Sequence, residues 1–76
     1  MKKKEKQKII SIVIPTFNEQ SNISKIINQL LKLDVVYEKE IIVVDDNSSD
    51  GTANLVREYG RDDRRVRLIS RLVRFG

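Results

Sequence analysis

The apolar positions of this chain come in runs whose spacing changes character several times. Residues 9–14, Ile-Ile-Ser-Ile-Val-Ile, are almost continuous in β-branched side chains and predict a first strand. Pro15 is expected to end it by removing the next ladder donor, leaving Thr16-Phe17-Asn18-Glu19-Gln20 as a loop. Ile23, Ile26, Ile27, Leu30 and Leu31 then recur at helical spacing, with Ser21 or Asn22 available as cap and an expected end near Leu33–Asp34. A second unbroken apolar run, Ile41-Ile42-Val43-Val44, marks a strand at about residues 40–45, and it reads as buried on both faces. Asp50 is placed to cap a second helix, with Gly51 and Thr52 in its first turn and Gly60 as its stop. Ala53, Val56 and Tyr59, or Leu55 with Tyr59, supply that helix's apolar face. After the polar turn Arg61-Asp62-Asp63-Arg64, residues 65–70 predict a third strand.

The resulting order β-α-β-α-β, with short connections, predicts parallel strands joined by crossovers: an α/β half of a doubly wound, Rossmann-like sheet. Three strands and two helices leave an open edge and uncovered apolar surface, so the chain is expected to be the front of a longer protein.

Composition narrows the chemistry. The 76 residues contain neither Cys nor His, which removes disulfides, thiolate metal sites and imidazole bases from this chain. Charge is uneven. Residues 1–8 carry five Lys and one Glu, residues 9–56 three Lys and seven acids, and residues 57–76 seven Arg and three acids. A basic start, acidic middle and basic end is not one continuous nucleic-acid stripe, so no nucleic-acid partner is expected. The start has no apolar core of a secretory signal and reads as a disordered basic leader over residues 1–8, with the domain beginning at residue 9.

In open parallel sheets, ligands bind at the carboxyl ends of the strands. Asp45 and Asp46 stand at such an end, where mutual repulsion would call for a cation or a hydrogen-bonding ligand. The plainer alternative is that one caps the next helix and the other is solvated.

Ser11-Ile12-Val13-Ile14-Pro15-Thr16-Phe17-Asn18-Glu19, followed in register by Val43-Val44-Asp45-Asp46-Asn47-Ser48-Ser49-Asp50-Gly51-Thr52, resembles the opening of a family-2 inverting glycosyltransferase of the GT-A fold. The likeness covers residues 10–76 and is nearest to the dolichyl-phosphate mannose synthases and related polyprenyl-phosphate glucosyltransferases. It includes the Ile-Ser-Arg-Leu-Val-Arg-Phe-Gly ending. The resemblance implies that Pro15, Phe17 and Glu19 line a base and ribose pocket, and that Val44 and Asp46 contact the nucleotide. Asp45, Asp50 and Gly51 would then support the loop. It implies a nucleotide-diphosphate sugar donor, GDP-mannose before UDP-glucose, and a polyprenyl-phosphate acceptor at the cytoplasmic face of a membrane. It also implies Mg2+ or Mn2+ on an Asp-x-Asp motif outside this chain, and places no catalytic residue and no metal ligand within it. Phe17 departs from the tyrosine more usual in the family, keeping the stacking face but not the hydroxyl.

Four other readings stay open on the sequence. Phe17 can be a core aromatic under the loop and Glu19 a solvated first-turn acid. A phospho-receiver also carries an acid pair after a buried strand, but on its first strand rather than its second. Asp46, Ser48, Asp50 and Gly51 match the first half of an EF-hand loop, yet Arg57 stands where the bidentate Glu belongs. A non-catalytic nucleotide-binding fragment is the nearest rival.

Overall fold

The computed structural model describes residues 8–71; the leader apart from Lys8, and the segment 72–76 included in the resemblance, lie outside the described residues. The elements run β1 (Ile9–Thr16), α1 (Gln20–Lys32), β2 (Glu38–Asp46), α2 (Thr52–Asp62) and β3 (Val66–Arg71). The strands form one parallel sheet in the order β1-β2-β3. The α/β alternation read from the apolar pattern is therefore the architecture.

Both helices pack on one side of the sheet. Ile23 and Ile27 of α1 and Val56 of α2 close over Ile41 and Val43 of β2 and Val66 of β3, all of them buried. Ile12 and Ile14 extend this core along β1, and Leu68 along β3. Register keeps the layer consistent: Ile12 lies beside Ile41 and Ile41 beside Val66, while Ile14 lies beside Val43 and Val43 beside Leu68. Burying a branched aliphatic side chain stabilises by about 1.5–3 kcal/mol, so these few residues hold most of the fold. Tyr59 adds a tie between the helices, its hydroxyl donating to Asn28 Oδ1 at 2.9 Å.

The second strand is not buried on both faces. Its odd positions, Lys39, Ile41, Val43 and Asp45, are buried against the helices, whereas Glu40, Ile42, Val44 and Asp46 are only half-buried. With helices on one side alone, Val13 and Ile69 stay 59% and 49% exposed beside Ile42 and Val44. The expected uncovered apolar surface is this even-numbered face of β2 with its neighbours.

Local punctuation differs from expectation at four places. Pro15 does not end β1, which runs on to Thr16; an edge strand, bonded to a neighbour on one side only, tolerates a proline. Helix α1 begins at Gln20 with Glu19 as its N-cap residue, so neither Ser21 nor Asn22 caps it. Helix α2 begins at Thr52 with Gly51 at the N-cap, and Asp50 sits one residue before it. Gly60 does not stop α2, which continues to Asp62.

Gly60 is where α2 crosses close to β3: a Cβ there would stand 2.9 Å from the Val66 carbonyl oxygen. Alanine favours a helix over glycine by about 1 kcal/mol, but relieving this backbone clash costs about 1–3 kcal/mol. Gly60→Ala is therefore expected to lower the urea midpoint with an unchanged m-value; a raised midpoint would refute the close approach.

Candidate functional site

The carboxyl ends of β1 and β2 meet two loops, residues 17–19 and 47–51. Asp45 and Asp46 occupy successive strand positions and so point to opposite faces. That separation relieves the mutual repulsion that the sequence raised, without a cation between them.

Asp45 faces the helices and is 1% exposed. Its Oδ1 accepts from the Thr16 hydroxyl at 2.7 Å and the Ser48 hydroxyl at 2.6 Å, and its Oδ2 from the Ser48 N–H at 3.0 Å. Burial pushes the carboxyl up, but the two Ser48 bonds and the Thr16 bond outweigh it and hold the group below its ordinary value. Asp45 thus folds the β2–α2 loop back on the strand ends, a supporting role.

The two loops are joined residue by residue. Asn18 has φ 53° and Asn47 φ 56°, left-handed conformations that asparagine tolerates better than most side chains. The Asn18 side-chain oxygen accepts the Ser49 N–H at 2.8 Å, the Asp50 N–H at 3.3 Å and the Ser49 hydroxyl at 3.4 Å. The Asn18 N–H donates to Ser48 Oγ at 2.7 Å, and the Glu19 N–H to Thr52 Oγ1 at 3.0 Å. Gln20 closes the set: its N–H donates to Asp50 Oδ2 at 3.2 Å, and its Oε1 accepts the Gly51 N–H at 3.0 Å.

Asp50 therefore serves the starts of both helices. Its Oδ1 accepts the Thr52 N–H at 3.0 Å and also the Thr52 hydroxyl. The Thr52 hydroxyl bond leads the effects that hold its carboxyl below the ordinary value. Gly51 has φ −89°, so it is not there for a left-handed turn; the Gln20 amide stands 2.7 Å from where a Cβ would be.

The residues singled out from sequence divide into two groups. Pro15, Val44 and Asp46 share the open face of the sheet, Pro15 beside Val44 in register. Phe17 and Glu19 belong to the β1–α1 junction above them, Phe17 47% exposed and Glu19 half-buried. Phe17 is not a core aromatic. Asp46 carries the site's clearest unmet demand: its Oδ1 is buried and has no hydrogen-bond partner among the described residues. The nearest cation is Arg71, beside it in register, with Nε at 3.7 Å, too long for a hydrogen bond.

These residues do not fit a metal. Among the described residues no group of three or more carboxylates could hold an ion, and Ser48 and Asp50 are committed to the loop junction, which removes the calcium-loop reading. Asn18 and Gln20 escaped the sequence reading. The available signal for Asn18 was asparagine's tolerance of left-handed backbone; nothing in the linear order shows that residue 18 meets residues 48–50.

The sequence profile of glycosyl transferase family 2 matches residues 11–76. Among curated relatives, the GalNAc(5)-diNAcBac-PP-undecaprenol beta-1,3-glucosyltransferase of Campylobacter jejuni is 41% identical over 58 residues, 76% of this chain and 18% of that protein. The dolichyl-phosphate beta-glucosyltransferase of Dictyostelium discoideum is 37% identical over 57 residues, 66% of this chain and 17% of that protein. The undecaprenyl-phosphate 4-deoxy-4-formamido-L-arabinose transferase of Pseudomonas fluorescens is 38% identical over 56 residues, 71% of this chain and 16% of that protein. The chain spans less than a fifth of the length of these relatives. No solved structure matches it significantly.

Proposed function

The chain belongs to glycosyl transferase family 2, and from that premise we propose that its strand ends bind the nucleotide of a nucleotide-diphosphate sugar. The observation that carries the reading is the buried Oδ1 of Asp46, which accepts no hydrogen bond among the described residues and has only the Arg71 charge at 3.7 Å, on the open face with Pro15 and Val44. A carboxylate accepts from N–H and O–H groups, which base edges and ribose both offer. Phe17 supplies a flat face on which a base stacks for about 1–3 kcal/mol, and Glu19 a second acceptor for ribose hydroxyls. These residues bind and orient the donor; none of them is assigned a bond-making step.

In the whole enzyme the reaction is hexosyl transfer with inversion: an acceptor oxygen attacks the anomeric carbon and the nucleoside diphosphate leaves. The acceptor is a polyprenyl phosphate, a reading that the dolichyl-phosphate and undecaprenyl-phosphate names of two relatives support, and its place at the cytoplasmic face of a membrane follows from the family likeness alone. Among the described residues no helix is long and apolar enough to cross a membrane. A divalent cation, Mg2+ or Mn2+, would neutralise the leaving diphosphate from ligands outside this chain. The finer donor reading is GDP-mannose, from the likeness of the two motifs to the dolichyl-phosphate mannose synthases. UDP-glucose is the second, and the glucosyl names of two relatives support glucose as its sugar.

Titrating UDP and GDP into the isotopically labelled chain should shift amide signals of residues 16–19 and 44–47. One stack and one charge-assisted hydrogen bond predict a Kd of about 1 mM. The donor readings separate by which nucleotide binds more tightly. Asp46→Ala should weaken binding at least about tenfold. Absence of shifts at those residues would refute the nucleotide reading. The chain alone is expected to transfer no sugar; measurable transfer by purified protein would overturn that.

A further inference from the structure

Among the features of the strand ends, the junction between the two loops does something that the nucleotide contacts alone do not require. Phe17 and Glu19 flank Asn18, yet the contacts that fix this stretch belong largely to Asn18. Its side-chain oxygen takes two backbone N–H groups and a hydroxyl from residues 49–50, and its own N–H reaches Ser48 Oγ. Ser48 in turn is bonded to the buried Asp45, so the chain of contacts runs from the exposed loop to the core. Asp46 sits on the strand that feeds the second loop. Asn18 therefore sets the height and direction of the loop bearing Phe17 and Glu19 relative to Asp46.

We infer that Asn18 is a positioning residue of the nucleotide site, acting through the loop junction rather than by touching the ligand. The inference rests on the nucleotide reading above. Two properties are needed at this position: tolerance of φ 53° and a side-chain oxygen aimed at the amides of residues 49 and 50. Glycine keeps the first and loses the second. Aspartate keeps both, since asparagine and aspartate share the acceptor geometry and the enrichment in left-handed backbone. Asn18→Gly and Asn18→Asp thus separate the oxygen from the backbone requirement.

The test is nucleotide titration of labelled wild type, Asn18→Gly and Asn18→Asp, with the amide signals of Ile41 and Val43 as a record that the sheet is intact. Asn18→Gly should weaken binding about tenfold with the sheet signals unchanged, and Asn18→Asp should stay within about threefold of wild type. In free Asn18→Gly the amides of Ser49 and Asp50 should exchange faster, while those of β2 keep their protection. Wild-type affinity in Asn18→Gly would overturn the inference while leaving the nucleotide reading standing. Collapse of the sheet signals in Asn18→Gly would also overturn it, making the residue a requirement of folding. Failure of the wild type itself to bind either nucleotide would remove the nucleotide reading, and the positioning role with it.

Discussion

Asp45→Ala is expected to cost about 3–5 kcal/mol, out of a total of about 4–11 kcal/mol for a chain of this size. The carboxylate is buried and accepts three hydrogen bonds from Thr16 and Ser48, and Thr16 is itself buried. Removing it leaves those donors unmatched where water reaches them poorly, each such group costing about 1–3 kcal/mol. Asp45→Asn is milder: its oxygen serves two donors, but its NH2 meets the Ser48 N–H. The pH dependence has a definite sign. The folded group ionises below its ordinary value of 3.8, so its contribution is complete above that pH and disappears as pH falls through the lower, folded value. Urea unfolding at pH 7 and pH 3 should show the wild type losing part of its advantage over Asp45→Asn in acid. A gap of the same size at both pH values would sink the assignment of Asp45 as a buried, charged tie. Asp50 and Asp63 also ionise below the ordinary range, Asp63 at about 2 beside Arg65, so the variant keeps some acid sensitivity.

The elements themselves were legible because each depends on local pattern. Ile23, Ile27, Leu30 and Leu31 mark one face of α1 whatever the rest of the chain does. The one-sided burial of β2 was hidden because Ile42 and Val44 are as apolar as Ile41 and Val43, so period-2 alternation is invisible in the letters. Gly60 looked like a helix stop because glycine signals both chain reversal and close packing, and only β3 in place tells them apart. The candidate site was legible in part. Pro15, Val44 and Asp46 were singled out from motif order, and parallel register brings them to one face. The junction of Asn18 and Gln20 with residues 48–51 joins positions about 30 apart, a relation that no local rule encodes.

Ile41→Ala and Ile42→Thr, adjacent on the same strand, should differ sharply in their effects. Ile41 is fully buried at the centre of the sheet, beside Ile12 and Val66 and beneath the helices. Truncating such a residue removes transfer energy and leaves a cavity, together about 2–5 kcal/mol, enough to unfold a large share of the molecules. Ile42 lies between Val13 and Arg67 on the face without helices, half-buried. Threonine there keeps the β-branched shape that suits a strand, and its hydroxyl remains within reach of water, so about 1 kcal/mol or less is expected. Urea midpoints of the two variants measure this directly. A large loss from Ile41→Ala beside a small one from Ile42→Thr confirms that the helices cover the odd-numbered face only. Equal losses would mean that the face bearing Pro15, Val44 and Asp46 is covered in solution, and a nucleotide could then reach Asp46 only after that cover moved away.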